Sequence, residues 1–383
     1  MFDVSDAQKS VRAWAREFAE REVAPRAAAM DAAGEFPREL VGLMFDAGLM
    51  GMLVPAAHGG RGARTLEYAT AVEELARADA STALVMCIHS SLVTALLAEF
   101  ASDAIKARWL GRLATRSVGA FALTEDDPSS PTRAEERDGG FVVTGSKSYI
   151  TNGPIADVVL VFAVTGRIET EKDGKRVSRD EVSAFLVDGG ATGLSRSSVG
   201  PKLGLSAAPV GRLRFDGVRV PADRMVGGRG AGFAMAMKAL DGGRIAAAAM
   251  GVGIAQAALD GAKAYAKARV TQGQPIAKHQ AVQFMIAEAA TRLEAARALA
   301  YHAALAADRG DAAVTELAAQ AKLFASEAAS FAASRCLQVH GGAGVVRGLH
   351  AAERCFRDAR VLEIIEGTSE IQKLVVAGHE LRR

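Results

Sequence analysis

The sequence predicts a mainly α protein with a central β domain, laid out in the order helix, β, helix. Three observations predict it: apolar residues recurring every three or four positions up to about residue 115, short β-branched runs between about 118 and 225, and a return to helical spacing after Gly230. A chain of 383 residues exceeds what one core usually serves, and the changes of texture divide it at 1–117, 118–227 and 228–383.

In the first block, Val11, Trp14 and Phe18, then Leu40, Leu43, Met44 and Ala47, fall on single helix faces. The middle block reads as β from "FVVTG", "DVVLVFAVTG", "VSAFLV" and "GRLRFDGVRVP", separated by Gly, Asp, Ser and Pro. Within it, "LRFDGVRV" alternates as a strand with one wet face does, and "IETEKDGKRVSRDE" (168–181) has the composition of a solvated hairpin tip. In the last block Val282, Met285, Ala289, Leu293, Ala296, Ala300 and Ala303 trace one apolar face, and so much Ala implies closely approached helices.

Lys plus Arg number 46 against 44 Asp plus Glu, a balance that gives no reason to expect nucleic acid or an anionic membrane as partner. The longest greasy stretch, Ile245 to Leu259, is too short to span a bilayer and is interrupted by Gln256. Cys87, Cys336 and Cys355 are odd in number and widely spaced, so neither a disulfide framework nor a thiolate metal site is indicated. With no signal-peptide pattern at MFDVSDAQKS, a cytoplasmic, reducing compartment is expected.

Two glycine motifs fail on context. "VVTGSKS" (142–148) superficially resembles a phosphate loop but has Ser146 between Gly145 and Lys147. "GGAGVVRG" (341–348) follows a helical pattern rather than a strand, which argues against a nicotinamide site. The seven histidines include no metal-spaced pair, so no metal is expected.

Four other segments hold small or polar residues between apolar runs: "GAFALTEDDPSSP" (119–131), "SKSYITNG" (146–153), "LQVHGGAG" (337–344) and "LEIIEGTSEIQ" (362–372). Each also has a plain structural reading: a strand-ending turn, a half-buried strand, a helix C-cap, and a capping box from Ser369 and Gln372 with Glu366 complementing the helix dipole. Their order carries more. With "VGPKLGL", "FDGVRVPADRMVG", "LDGGRIAAAAMGVGIAQAAL", "HQAVQFMIAE" and "RDARVLEIIEGTSEIQKLVVAGH", they make the sequence similar to the acyl-CoA dehydrogenase family over essentially its whole length, most of all to its short-chain, butyryl-type members.

The resemblance implies a helical N-terminal domain, a β-barrel-like middle domain and a C-terminal four-helix bundle, with FAD bound between domains and across a subunit interface of a homotetramer. It places Phe121, Leu123, Thr124 and Ser130 on one side of the flavin and Tyr149, Ile150 and Thr151 on the other, Thr151 being the partner of flavin N5. Arg269, Gln280, Gln338, Gly341 and Gly342 would reach the pyrophosphate and adenosine from a neighbouring subunit, and Thr368 and Glu370 would flank the cofactor. Ser130, Asp241, Arg244 and Gly367 match positions that meet the acyl-CoA. Glu366 matches the base that removes the α-proton of the thioester, giving a trans-2-enoyl-CoA while electrons pass to an electron-transfer flavoprotein.

A carboxylate with an ordinary pKa of about 4.3 is a feeble base towards carbon, and a dry pocket raises it. Ile364 and Ile365 are the residues expected to dry Glu366, and Gly367 lets the backbone pass close to the thioester. Some relatives carry the base at the position of Gly243, where this chain has no side chain to offer. The first flavin loop reads Thr124-Glu125-Asp126-Asp127-Pro128-Ser129-Ser130-Pro131 where the family has T-E-P-x-A-G-S-D, Tyr149 replaces Trp, Gln272 replaces Phe, and Ser206 and Val210 replace Arg and Thr. These departures leave open the same chemistry on a carrier-protein-bound, branched or cyclic acyl group, and a non-catalytic, flavin-poor member.

Overall fold

The computed structural model describes residues 5–172 and 175–382. Ser5 caps α1 (Asp6–Phe18) by accepting from Gln8 N at 3.2 Å, and a π-helical turn at Ala19–Val23 joins it to α2 (Ala24–Ala33), which ends where Gly34 turns left-handed. The short α3 (Arg38–Asp46) follows, then α4 (Thr65–Ala78) and α5 (Ala80–Cys87). Another π-helical turn, Ile88–Thr94, carries α5 into α6 (Ala95–Phe100) without a break, and α7 (Asp103–Thr115) closes the block.

The central sheet contains β1 (Gly119–Ala122), β2 (Arg133–Arg137), β3 (Gly140–Thr151), β4 (Val158–Lys172), β5 (Lys175–Asp188), β6 (Leu194–Ser198), β7 (Val210–Pro221) and β8 (Met225–Val226). Its order is β6-β7-β3-β2-β4-β5-β8, with β1 added parallel to β4. The tip expected within 168–181 includes residues 173 and 174, which lie outside the described residues; its flanks are the antiparallel pair β4 and β5.

On β4, Val158, Leu160 and Phe162 enter the core shared with the helices, while Val159, Val161 and Ala163 enter a second core on the other face. Burial on both faces explains why this strand is continuously apolar. On β7 one face is wet: Leu213, Phe215, Val218 and Val220 are buried and Arg212, Arg214 and Arg219 exposed. "VVTGSKS" lies within β3, confirming that it is not a phosphate loop.

The C-terminal block opens with α8 (Gly232–Ala268), a hairpin of β9 (Val270–Thr271) and β10 (Gln274–Pro275), then α9 (Gln280–Arg309), α10 (Val314–His340), α11 (Ala352–Leu362) and α12 (Ser369–Glu380). α8 packs against α4, α9 and α10, and α11 and α12 pack on α10. Small residues make this possible: a Cβ added at Gly251 would sit 2.8 Å from the Ala325 carbonyl of α10. Gln272, where the family has Phe, starts the hairpin turn with φ of 50°.

One expectation is corrected. The stretch Ile245–Leu259 lies inside a helix of 37 residues, and both it and the continuous helix Ala80–Phe100 are long and apolar enough to cross a membrane. In each, 78% of the most apolar window is buried inside the fold, the condition of a core helix.

Candidate active site

The π-helical turn Ile88–Thr94, the ends of β1 and β3, and the link between α11 and α12 meet around a cavity of about 650 Å³. Phe121, Leu123 and Thr124 come to it from β1 and its exit, Tyr149, Ile150 and Thr151 from β3, and Leu84, Ile88 and Leu92 from the N-terminal helices. Ile364, Ile365, Glu366 and Gly367 complete the wall. Its surface is mostly apolar, with a few hydroxyls, the Lys202 amine and one carboxylate. That donor set suits a flat, largely apolar ring system with polar edges. A second cavity, about 560 Å³, is lined by Tyr68, Ser91, Lys238, Asp241, Gly242 and Asp311.

Glu366 belongs to the wall of the first cavity. Its φ is 54° and that of Gly367 is 84°, so two successive residues are left-handed and turn the chain sharply between helices. A non-glycine residue held in this region points to a functional constraint. Its Oε2 is buried and has no hydrogen-bond partner among the described residues. A Cβ at Gly243 of α8 would overlap this same oxygen and lie 3.0 Å from Leu92 Cδ2. The absence of a side chain at Gly243 is therefore what makes room for the Glu366 carboxylate. Burial pushes the carboxyl up to about 7, against the opposing pull of Lys322 and Arg244.

The drying is not done as the sequence suggested. Ile364 is 54% exposed on the cavity side, and Ile365 is partly buried, while the carboxylate tip is shut in against Gly243 and Leu92. The capping box is corrected too. Thr368, not Ser369, caps α12, accepting from Ile371 N at 3.4 Å, and Ser369 Oγ is buried without a partner among the described residues. Gln372 turns backwards instead, its Nε2 donating to Glu366 O at 3.1 Å and to Gly367 O at 2.9 Å. From α10, the fully buried Lys322 donates to Gly367 O at 2.7 Å.

Around the second cavity, Arg244 Nη1 donates to Asp241 Oδ1 at 2.8 Å, and Thr315 Oγ1 donates to Asp241 Oδ2 at 2.7 Å. Arg244 Nε, also buried, has no partner among the described residues. The segment that departs from the family pattern is firmly held. Buried Lys147 donates to Leu123 O at 3.0 Å and pairs with Glu125 at 2.5 Å, while Asp126 accepts from Ser148 Oγ and from Arg212 Nε at 3.0 Å. At the end of β3, Asn152 adopts φ of 64° and donates to Val85 O and Gly119 O at 3.0 and 3.2 Å, tying strand to helix. Tyr149 is left-handed at φ of 57° and 73% exposed, its ring projecting at the cavity rim.

The remaining candidates do not line either cavity within one chain. Ser130 is exposed on its loop, its N–H donating to Asp127 O at 3.0 Å, and Glu370 is exposed in the first turn of α12. Arg269, Gln280, Gln338, Gly341 and Gly342 are exposed at helix ends. There the ends of α8 and α10 are joined by Tyr265 stacked on His340 at 4.3 Å. Sequence reasoning missed Lys322, Gln372 and Asn152; for Asn152 the signal was available in the "ITNG" turn, since Asn tolerates the left-handed region.

The fold and this site define an enzyme that sets a buried carboxylate beside a large apolar chamber. Family profiles described as acyl-CoA dehydrogenase N-terminal, middle and C-terminal domains match residues 5–117, 120–218 and 230–381. The short-chain specific acyl-CoA dehydrogenase of Clostridium acetobutylicum is 38% identical over 387 residues, covering 100% of both chains. The solved butyryl-CoA dehydrogenase of Megasphaera elsdenii superposes with a TM-score of 0.93 at 35% identity, covering 100% of each chain. A structure described as the electron transferring flavoprotein of Acidaminococcus fermentans gives 0.93 at 36% identity with the same coverage. The chain belongs to the acyl-CoA dehydrogenase family.

Proposed function

We propose that this chain carries out the FAD-dependent α,β-dehydrogenation of an acyl-CoA thioester to the trans-2-enoyl-CoA, with Glu366 taking the α-proton. The observation that carries the reading is the dry, unpartnered Glu366 Oε2 at the wall of the 650 Å³ cavity. Phe121, Leu123, Thr124, Tyr149, Ile150 and Thr151 would hold FAD there, Thr151 at the flavin edge. Bound in that place, FAD supplies the acceptor for the hydride that leaves Cβ.

The rest falls to the protein. Asp241 and Arg244, with Gly367, guide the thioester, Ser130 would meet its CoA part from the exposed loop, and Leu84, Ile88 and Leu92 receive the acyl chain. Entry of the acyl group excludes water from the cavity that Glu366 lines, which brings its proton affinity nearer to that of the activated α-carbon. The left-handed turn at Glu366 and Gly367 brings the backbone N–H of Glu366 within reach of the thioester carbonyl, where it would stabilise developing negative charge.

A homotetramer accounts for the surface positions of Arg269, Gln280, Gln338, Gly341 and Gly342, which on this reading meet the pyrophosphate and adenosine of a neighbour's FAD, with Thr368 and Glu370 flanking it. Exposed Val270, Phe284, Val345 and Leu349 near those helix ends support the same assembly. An electron-transfer flavoprotein is the proposed electron acceptor, in the cytoplasm.

The test is anaerobic mixing of the yellow holoenzyme with butyryl-CoA, longer acyl-CoAs and a butyryl-carrier protein while flavin absorbance is followed. Bleaching by the CoA thioesters, and ligand binding without bleaching in Glu366→Gln, is the expected result. Bleaching confined to the carrier-bound substrate would overturn the choice of CoA. Undiminished bleaching in Glu366→Gln would overturn the assignment of the base.

A further inference from the structure

Lys322 takes no part in the reaction as derived above, yet it is placed where it can govern the base. It lies in the first half of α10, is fully buried, and among the described residues gives one hydrogen bond, to the Gly367 carbonyl at 2.7 Å. Burying an ammonium group is costly, and one neutral carbonyl does not offset it. Among the described residues no carboxylate lies within 4 Å of its Nζ. The negative groups that act on it are Glu366, Glu363 and Glu370. Glu363 already accepts from Ser330 and pairs with Arg360 at 3.1 Å, and Glu370 is exposed. Among the described residues Glu366 alone of the three has a buried tip with no partner of its own.

The other groups facing Glu366 cannot take over this role. From α8, Arg244 is paired with Asp241 at 2.8 Å, so its charge is locally balanced. From α4 and α5, Tyr68 and Cys87 are buried and pushed upward, which keeps both neutral. We propose that Lys322 is the positioning residue of the base: its ammonium fixes the left-handed Glu366–Gly367 turn through the Gly367 carbonyl, and it supplies the unbalanced positive charge that lets a dry carboxylate exist at that wall. The inference rests on Glu366 being the base. The upward push of burial on Glu366, to about 7, and the downward push on Lys322, to about 8, have each group opposing the other's burial.

The two contributions separate by substitution. Lys322→Gln keeps a donor for Gly367 O and removes the charge; Lys322→Met removes both; Lys322→Arg keeps the charge. The readout is the pH dependence of flavin reduction by butyryl-CoA in the holoenzyme. Without the cation the carboxyl holds its proton more tightly, so the acid limb moves to higher pH by about one unit in Gln and Met, a roughly fivefold loss at the wild-type midpoint that recovers at alkaline pH in Gln. Arg returns the limb towards its wild-type position. Folded, yellow Gln and Met variants with an unmoved limb would overturn the proposal, even with Glu366→Gln inactive. An active Glu366→Gln would overturn the proposal together with the base.

Should the neutral variants fail to fold, the coupling is read from the other side, because linkage is reciprocal. Glu366→Gln removes the negative partner, so the buried lysine resonance of ¹⁵N-lysine-labelled protein then titrates at lower pH than in wild type. Identical titration in the two proteins would overturn the proposal.

Discussion

Substituting Gly243 by Ala tests the geometry of the proposed base, Glu366, without altering that residue. The added methyl would overlap Glu366 Oε2 and press on Leu92 Cδ2 at 3.0 Å. Both are the far ends of flexible side chains, so the backbone can stay and the carboxylate yields, by about 1 Å if ordinary contact is to be restored. A displacement of that size from the productive position costs on the order of 10² in rate. That is about 2.7 kcal/mol of barrier. Stability moves little or rises, because Ala in the interior of α8 gains about 0.5–1 kcal/mol over Gly.

The assay is stopped-flow flavin reduction by butyryl-CoA under anaerobic conditions, with a thermal melt on the same preparation. The expected pattern is a reduction rate down about a hundredfold with Tm within a few degrees of wild type. A rate within twofold of wild type would show that the carboxylate does not need the space above Gly243. A collapse in Tm would show that the backbone, rather than Glu366, absorbs the overlap. Either result refutes the placement of the base argued from the structure.

Two more predictions concern the frame around the base. Gln372→Leu leaves the Glu366 carbonyl without its donor; it should cost about 1–3 kcal/mol of stability and lower kcat more than it raises KM, read by denaturant unfolding and steady-state kinetics. Asp358, fully buried and accepting from Leu205 N at 2.6 Å, has its carboxyl pushed up to about 7 by burial and then by Asp79. Its folded pKa exceeds the unfolded value of about 3.9, so the folded state binds the extra proton between the two. Its contribution to stability is complete at acid pH and is lost as pH rises towards 7. Asp358→Asn keeps an acceptor and cannot ionise, so the gap in unfolding free energy between pH 5 and pH 8 should shrink relative to wild type. A gap as large as in wild type would mean that Asp358 ionises freely in the native protein.

What the sequence disclosed and what it concealed divide along the range of the interactions. Local periodicity was enough for the helices: the apolar stripe from Ala289 to Ala303 is buried along α9 as its spacing requires, with Val282 and Met285 only partly covered. It was also enough for β7; the isoleucines and glycine beside Glu366 marked a carboxylate in unusual company, and its Oε2 is buried. The local pattern gave the wrong reason for that residue's burial, since the enclosing atoms belong to Gly243 and Leu92, distant in sequence.

Lys322 shows why such partners stay hidden. In "AAQAKLFAS" it reads as a solvated lysine on an alanine-rich helix, and nothing within four residues signals that it meets Gly367, 45 positions away. Gln372 presents a different failure, because a plausible local pattern, the S-x-x-Q box, competed with the backward bonds to Glu366 O and Gly367 O that are actually made. In a capping box the glutamine side chain would satisfy one N–H that water could reach; the backward bonds satisfy two carbonyls in a turn with few alternatives, and the buried site makes the second choice the stronger. The left-handed turn at Glu366 thus takes its hydrogen bonds from a lysine and a glutamine on two different helices, and the position of the proposed base follows how α10 and α12 pack.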